Sequence, residues 1–240
     1  MARRNQYWLI LLAALALFVT ASAGPASAHV AGKARAVRAS QKLVALLTTH
    51  MAYANPSASS KHLGYVLSER PITGVETVLP VLRTDSTGAW LRVRLPGRPN
   101  SHKGWIKATG TAPRTTTWHL VVRTATPRVI AYNKGRVVRT FTAIVGKPST
   151  PTPHGEFFVE EAVAMPASSP SYPVALALSA RSNVFQEFDG GDGQIAMHGI
   201  SHVGGVLGTA VSHGCIRLAD DSVRWLGNHI NPGVPVTIKN

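Results

Sequence analysis

The segment His198–Leu218, HGISHVGGVLGTAVSHGCIRL, contains the only cysteine of the chain and three of its ten histidines. Cys215 follows a Ser-His-Gly string, and a His-Gly pair begins 17 positions upstream (215 − 198). An imidazole within hydrogen-bond reach can convert a thiol into the thiolate that attacks a carbonyl. Glycine beside each partner allows close backbone approach and presents N–H groups to a developing oxyanion. The pattern favours a cysteine nucleophile over a thiol that only fills a hydrophobic core.

Two ordered segments resemble one known family. HG at 198–199 followed by SHGCIR at 212–217 is similar to the signature of the YkuD-type L,D-transpeptidases. TPHGEF at 152–157 resembles the Thr-Pro-x-Gly-x-Phe segment of the same family. The resemblance covers residues 117–240 and implies a β-sandwich-like catalytic fold. It also implies that the loop 146–153 flanks the substrate cleft.

The resemblance implies a role for each central residue. Cys215 is expected to attack a carbonyl and form a thioester, while His198 takes the thiol proton and later activates the acceptor amine. The carbonyl of Gly199 is expected to orient the imidazole, and residues 193–219 accordingly contain no Asp or Glu. Backbone N–H groups of Gly214 and Cys215 are expected to hold the oxyanion.

Four further residues complete the predicted site. His213 is expected to support the loop or the cleft, with a general-base role as the second choice. Arg217 occupies the position where the family has Arg or Asn, and it either binds a substrate carboxylate or buttresses the loop. Ser212 and Met197 are predicted to contact the substrate.

The implied reaction is acyl transfer on peptidoglycan, without a cofactor or a metal. The expected substrate is the tetrapeptide stem, which is cleaved before its terminal D-Ala. Transfer of the acyl group to the side-chain amine of another stem then gives a 3→3 cross-link. The resemblance also implies acylation by carbapenems. The alternatives are an L,D-carboxypeptidase, in which water is the acceptor, and a non-catalytic wall-binding protein.

Two metal-binding interpretations compete with this one. Zinc accepts nitrogen and sulfur ligands, which the segment offers at four positions. The string Val203-Gly204-Gly205 disfavours the helix that would align two of them. A pair of acids in a glycine-rich stretch, Asp189 and Asp192, resembles a calcium loop, although a tight turn explains it better. The zinc candidates are His198, His202, His213 and Cys215.

Residues 1–28 have the pattern of a signal peptide. Arg3 and Arg4 form a basic n-region, Leu9–Val19 is an apolar run, and small residues favour cleavage after Ala28. The alternative is an uncleaved membrane anchor, for which the run is short, since a span needs about 20 residues. We therefore predict a secreted, wall-associated protein of the cell envelope. With one cysteine, the chain has no intrachain disulfide.

The net charge is +14, or +12 without Arg3 and Arg4 (14 − 2). Such a charge favours anionic surroundings, and export makes anionic cell-wall polymers the expected partner. Contact with a membrane is expected only through an uncleaved leader. A nucleic-acid partner is not predicted, because no basic stripe in the sequence is interleaved with aromatic residues.

The remaining chain divides into three predicted regions. Residues 29–61 are a basic tether or linker, and residues 62–110 resemble a small SH3-like β-barrel of the bacterial type. Such modules often bind wall components or pack on a catalytic partner, and both interpretations stay open. Residues 111–117 form a polar hinge that contains Pro113. The catalytic domain is predicted to occupy residues 117–240.

The catalytic domain is predicted to consist mostly of β-strands joined by tight turns, so the fold class is mostly β. Residues 163–173 form a proline-rich loop, a candidate lid over the cleft. After the cysteine, a short helix capped by Asp220 or Asp221 precedes the last strand. The strand candidates include His119–Arg123, Arg128–Tyr132, Val137–Val145 and Val234–Ile238.

Overall fold

The computed structural model describes residues 37–187 and 191–240, and almost all of its regular structure is β-strand. The strands form two sheets that follow one another along the chain. The mostly β class predicted from the sequence is confirmed. Over these two ranges, no helix is both long enough and apolar enough to span a membrane. The predicted signal peptide, residues 1–28, lies outside the described residues.

Seven antiparallel strands form the N-terminal sheet. They are β1 (Gln41–Leu46), β2 (His50–Tyr53), β3 (His62–Val66), β4 (Val78–Thr84), β5 (Trp90–Arg94), β6 (Lys103–Lys107) and β7 (Thr111–Thr116). Their spatial order is β3-β2-β6-β5-β4-β1-β7. One side of the sheet buries a core that includes Val44, Leu79 and Ile106, because alternate residues of a strand point to the same face.

Two boundary predictions for this sheet are wrong. The predicted tether, residues 29–61, contributes β1 and β2, and the predicted hinge, residues 111–117, contains β7. β7 has the composition of a hinge because it includes Pro113, but it lies at the sheet edge, where a missing N–H is tolerated. The sheet extends over residues 41–116 rather than 62–110, and its SH3-like identity stays a prediction.

Nine strands and one helix make up the C-terminal part. They are β8 (Trp118–Arg123), β9 (Arg128–Asn133), β10 (Arg136–Gly146), β11 (Gly155–Ala164), β12 (Val174–Arg181), β13 (Gln194–Gly199), β14 (Ala210–Ser212), β15 (Ile216–Leu218), α1 (Asp220–His229) and β16 (Pro235–Lys239). All four strand candidates named above correspond to strands of this part.

Eight of these strands close into a barrel. Their order around the ring is β8, β9, β10, β15, β13, β12, β11 and β16, and the parallel pairing of β16 with β8 completes the circuit. β14 pairs with β10 outside the ring. Closure leaves few free strand edges, and the barrel encloses a core that includes Phe157, Met197 and Ile216.

Strand β11 contributes a side chain to each of the two cores. Phe157 belongs to the barrel core, whereas the next residue, Phe158, packs with Val44 and Leu46 of the N-terminal sheet. Neighbouring residues of a strand point to opposite faces, so a single strand serves both sides. Full burial of each ring contributes about 1.5–3 kcal/mol. The N-terminal sheet is therefore packed directly on the barrel.

Helix α1 buries Val223 and Leu226 against the barrel. The predicted cap is wrong, since Ala219 occupies the N-cap position and no side chain caps the helix. Asp220 instead accepts a hydrogen bond from the N–H of Ile200 at 3.1 Å. The carboxylate thus stabilises the loop after β13 rather than the helix terminus.

A buried group of charges joins the two sheets. Glu160, on β11, contacts Arg70 from the loop between β3 and β4. Its other carboxylate oxygen lies 3.2 Å from Nη1 of Arg181, on β12. The Glu160 side chain has no exposed surface. One carboxylate is therefore the partner of two largely buried guanidinium groups.

Glu160→Ala is expected to lower the free energy of unfolding by about 3–5 kcal/mol, because the largely buried Arg70 loses its ion-pair partner and Arg181 keeps only Asp192. Urea unfolding monitored by tryptophan fluorescence measures the change. Glu187→Ala removes an exposed carboxylate and serves as the matched control, with an expected change within about 0.5 kcal/mol. Equal losses in the two variants would contradict a role of the charge group in joining the sheets.

Candidate active site

The predicted catalytic residues meet at the ends of two neighbouring parallel strands. β13 pairs with β15 so that His198 lies opposite Arg217, and Cys215 directly precedes β15. His198, His213, Cys215 and Arg217 line one cavity of about 380 Å³. The pairing of the two strands explains how residues 17 positions apart (215 − 198) reach the same cleft.

His198 is held in one tautomer by its own backbone. Its Nδ1 lies 2.8 Å from the carbonyl oxygen of Gly199. A carbonyl only accepts hydrogen bonds, so Nδ1 carries the proton and Nε2 is the basic nitrogen. Burial lowers the pKa of His198, the hydrogen bond to Gly199 opposes this effect, and the charge of Arg217 lowers the pKa further. The imidazole is therefore neutral near pH 7 and able to accept a proton.

Burial raises the pKa of the Cys215 thiol above its ordinary value. A hydrogen bond from the backbone of Ala196 and the charge of Arg217 both oppose this increase without cancelling it. The resting pair is thus a neutral thiol and a neutral imidazole. Attack by Cys215 therefore requires transfer of the thiol proton to His198.

Side-chain hydroxyls fix the loop that carries the cysteine. Ser212 Oγ donates to the Cys215 carbonyl at 2.6 Å and accepts from the Gly214 N–H at 3.1 Å. Thr152 Oγ1 donates to the Gly214 carbonyl at 2.8 Å, and Thr150 Oγ1 donates to the Ser212 carbonyl at 3.1 Å. Thr152 belongs to the TPHGEF segment, which therefore supports the cysteine loop. Nothing in the sequence marks Thr150 for this role.

Three predictions for the site need correction. Ser212 and Met197 are both fully buried and do not line the cavity, so their predicted contact with substrate is wrong. Met197 lies in the barrel core because it points to the opposite face of β13 from His198. The Gly214 N–H donates to Ser212, which removes it as an oxyanion donor in this arrangement. The N–H of Cys215 stays a predicted donor.

Arg217 supports the loop between β13 and β14. Its Nη1 donates to the carbonyl of Gly204 at 3.2 Å, which is one of the two roles predicted for it. Its Nε is buried and has no hydrogen-bond partner among the described residues. Because the side chain also lines the cavity, recognition of a substrate carboxylate stays a prediction.

The predicted lid is tied to the loop after β13. His202 Nδ1 lies 3.1 Å from the carbonyl oxygen of Ser169, and its ring stacks on Tyr172 with centroids 5.4 Å apart. Pro170 and Ser171, from the same lid segment, line the cavity. His202 therefore orders the side of the cleft, and the covering function of the segment stays a prediction.

Gly199 lies where a side chain does not fit. A Cβ at this position would contact the Tyr172 carbonyl and lie 2.6 Å from Oδ1 of Asp220. Burial raises the pKa of Asp220, but hydrogen bonds from Ser201 and Ile200 outweigh burial, and the net shift is downwards. The ionised carboxylate thus anchors the turn whose carbonyl orients His198.

The metal interpretations have no support in the described ranges. Within residues 37–187 and 191–240, no three His, Cys, Asp or Glu side chains are grouped to hold a metal ion. His202, one zinc candidate, is engaged with the lid segment. The Asp192 carboxylate lies 2.6 Å from Nε of Arg181, which accounts for one acid of the calcium interpretation. The other acid, Asp189, lies outside the described residues.

A comparison with models of known protein families matches the part of the chain that forms the barrel and the cleft. The model of the YkuD family, described as the L,D-transpeptidase catalytic domain, matches residues 117–238. The chain belongs to the YkuD L,D-transpeptidase family. The matched range contains His198 and Cys215 and extends from the start of β8 into β16. The family predicted from the two sequence segments is therefore confirmed.

Relatives of this YkuD chain include mycobacterial L,D-transpeptidases. L,D-transpeptidase 1 of Mycobacterium tuberculosis is 32% identical over 112 residues, which are 43% of this chain and 43% of that protein. The match thus spans less than half the length of the curated relative. An L,D-transpeptidase from Mycobacterium smegmatis aligns with a TM-score of 0.41 and 21% identity, over 80% of this chain and 99% of that one. LD transpeptidase LdtMt1 in complex with imipenem gives a TM-score of 0.42 and 22% identity, over 67% of this chain and 90% of that one.

Proposed function

We propose that the chain is a cysteine acyltransferase that forms 3→3 cross-links between the tetrapeptide stems of peptidoglycan. The observation that carries the proposal is the cleft, in which Cys215 and His198 line one cavity. The hydrogen bond between Nδ1 of His198 and the Gly199 carbonyl leaves Nε2 as the basic nitrogen of the imidazole. Membership of the YkuD family supports the broader class, a transpeptidase that cross-links peptidoglycan.

The first half-reaction forms a thioester. Sγ of Cys215 attacks the carbonyl carbon that precedes the terminal D-Ala of the donor stem. Nε2 of His198 takes the thiol proton and passes it to the departing amine, so an S–C bond replaces the C–N bond and D-Ala leaves. The negative oxygen of the intermediate requires N–H donors, for which the backbone amide of Cys215 is the candidate.

The second half-reaction regenerates the thiol. The side-chain amine of an acceptor stem attacks the thioester, and His198 takes the amine proton and returns it to sulfur. A new amide bond links the two stems. Water in place of the amine would release the shortened stem, which is the carboxypeptidase reaction. Both reactions use the same residues, so the acceptor distinguishes them.

Incubation of the purified protein with a disaccharide-tetrapeptide, followed by mass spectrometry of the products, tests the function. A dimer that has lost one D-Ala supports transpeptidation. Release of D-Ala without a dimer would assign the chain as an L,D-carboxypeptidase. A protein with a free, titratable thiol that makes neither product would contradict both reactions and favour the wall-binding alternative.

The same thiol is expected to react with carbapenems. Attack of Sγ on the β-lactam carbonyl opens the ring, the ring nitrogen takes the proton, and the whole drug stays attached. A solved relative, LdtMt1, is in complex with imipenem. Because the chain has one cysteine, a single adduct with the full mass of the drug is expected.

Action on peptidoglycan implies a location outside the cytoplasmic membrane. The basic pair Arg3-Arg4 and the apolar run Leu9–Val19 support export, with cleavage after Ala28. Terminal sequencing of the protein from the medium, wall and membrane fractions tests this proposal. A chain that begins at His29 supports a cleaved signal, whereas an intact terminus in the membrane fraction supports the anchor.

The N-terminal sheet offers a face for an anionic wall polymer. One row of directly paired residues crosses four strands: Tyr53 faces Trp105, Trp105 faces Arg92, and Arg92 faces Arg83. Paired residues point to the same side of a sheet. On this side of the sheet Arg83 and Arg92 are exposed and Tyr53 is half-buried, whereas Trp105 is almost fully buried. The two exposed arginines can pair with anionic groups, and the half-buried Tyr53 lies on the same side of the sheet, so an acidic glycan fits this surface.

The double variant Arg83→Gln/Arg92→Gln is expected to bind purified sacculi at least about tenfold more weakly, since each cation near an anionic surface contributes about 1 kcal/mol. Co-sedimentation at rising salt measures binding. Arg128→Gln/Arg136→Gln removes the same charge from exposed positions of the barrel and should retain wild-type binding. Unchanged binding to sacculi stripped of anionic polymers, or stronger competition by single-stranded DNA than by an acidic polysaccharide, would contradict the proposed partner.

A further inference from the structure

The turn between β5 and β6 extends from the N-terminal sheet to the side of the cleft. Arg98, in this turn, donates hydrogen bonds to three backbone carbonyls: Ser182 at 2.8 Å, Phe185 at 2.9 Å and Asp192 at 2.7 Å. All three acceptors lie in the connection between β12 and β13. We call residues 182–185 and 191–193 the cleft wall, because Ser182, Phe185 and Gly193 line the cavity.

Asn100 adds a second attachment two residues later in the turn. Its side-chain amide donates to the Arg181 carbonyl at 2.7 Å, and its Oδ1 accepts from the Arg181 N–H at 2.8 Å. Asn100 thereby makes the two hydrogen bonds to the Arg181 backbone that a neighbouring strand would otherwise make at the end of β12. Arg98 and Asn100 together bind the backbone where the barrel ends and the cleft wall begins.

The cleft wall is shaped to receive the guanidinium group. Gly193 has a φ of +70°, and a Cβ there would contact the Phe185 carbonyl and lie 3.3 Å from Nη2 of Arg98. The N–H of Ser182 donates to the Gly193 carbonyl at 2.8 Å and closes the base of the connection. A guanidinium fork with five donors can bind carbonyls of several residues at once, which the single ammonium of lysine does less well.

We propose that Arg98 is a positioning residue: it holds the cleft wall in place and so determines how tightly the cleft binds the donor stem. This inference rests on the proposed function and assigns the N-terminal sheet a part in substrate binding. The hydrogen bonds of Arg98 go to the cleft wall and not to Cys215 or His198. Its loss should therefore affect binding more than the chemical step.

Arg98→Ala is expected to raise KM for the tetrapeptide donor roughly three- to tenfold, with kcat changed less than about twofold. Loss of the three hydrogen bonds loosens the cleft wall, and the expected weakening of donor binding corresponds to the net contribution of about one hydrogen bond. Arg98→Lys retains one donor group and should give an intermediate KM. Alkylation of Cys215 by iodoacetamide, which is small and needs no cleft wall, should keep the wild-type rate. Arg136→Ala, an exposed arginine on β10, is the control with wild-type kinetics.

Amide hydrogen exchange tests the same inference without turnover. Arg98→Ala should exchange faster in the cleft wall and at wild-type rates in β1 to β7. Faster exchange throughout the N-terminal sheet would overturn the proposal, because Arg98 would then be a general structural residue. Unchanged exchange together with unchanged KM would also overturn it. A wild-type protein without cross-linking activity would contradict the proposed function and still leave the exchange result decisive.

Discussion

Cys215→Ala is expected to reduce cross-link formation by at least about 10³-fold, because the thioester can form nowhere else. The chain has a single cysteine, so no second thiol can replace it. Cys215→Ser should be similarly inactive, since a hydroxyl ionises far less readily than a thiol that is itself held largely protonated by burial. Steady-state formation of the dimeric product measures the loss.

Intact-protein mass spectrometry separates loss of the nucleophile from loss of the fold. The wild-type chain should gain one imipenem mass, and both Cys215 variants should gain none. The Cys215→Ser variant keeps the size of the side chain, so its thermal unfolding should match that of the wild type. Equal dimer formation by wild type and Cys215→Ala would refute the thioester mechanism, and an imipenem adduct on the alanine variant would place the reactive group elsewhere.

The sequence located the cleft because its chemistry comes from two short segments with recognisable residue types. Cys215, His198 and Gly199 needed no long-range information, since each belongs to a motif and β13 and β15 pair side by side. The contact of His198 with the Gly199 carbonyl was expected from the family resemblance, which places an orienting carbonyl directly after the histidine. Motifs thus predict contacts between close neighbours and within the strands that carry them.

Proximity in sequence was misleading where the direction of a side chain decides its role. Met197 and Ser212 adjoin predicted catalytic residues, yet strand alternation places the first in the barrel core, and the second donates a hydrogen bond to the Cys215 carbonyl. The residue types did not reveal the direction of these side chains, because methionine and serine occur both in clefts and in protein interiors. The extent of the N-terminal sheet was missed for a related reason, since Gln41 obtains its partner, Thr116, from a distant strand.

The hydrogen bonds that distant segments make to the backbone around the cleft could not be predicted from one sequence. Thr150 lies 62 residues from the Ser212 carbonyl that it binds, and Arg98 lies 84 residues from Ser182. Neither belongs to a pattern that distinguishes it from other surface residues. These contacts arise only once the barrel is closed and the N-terminal sheet is packed on it, because they are made to backbone carbonyls that any sequence offers.

His198→Gln is expected to lower kcat/KM by roughly 10²–10⁴-fold near pH 7, because the thiol then has no general base. In the wild type, the imidazole must be unprotonated, so activity is lost as the pH falls through the pKa of His198. Burial lowers this pKa below its ordinary value of 6.5. The acidic limb of the wild-type profile should accordingly have its midpoint below pH 6.5, with a plateau through neutrality.

The variant should follow a different pH profile, since only the thiolate of Cys215 can then attack. The pKa of this thiol lies above its ordinary value of 9.0, so log(kcat/KM) should rise by about one unit per pH unit from neutrality to beyond pH 9. The ratio of wild-type to variant activity should therefore shrink steadily as the pH rises. His229→Gln, an exposed histidine at the end of α1, is the matched control and should keep the wild-type profile. A ratio independent of pH would show that His198 orients the substrate rather than accepting the thiol proton, because positioning alone has no reason to weaken as thiolate accumulates.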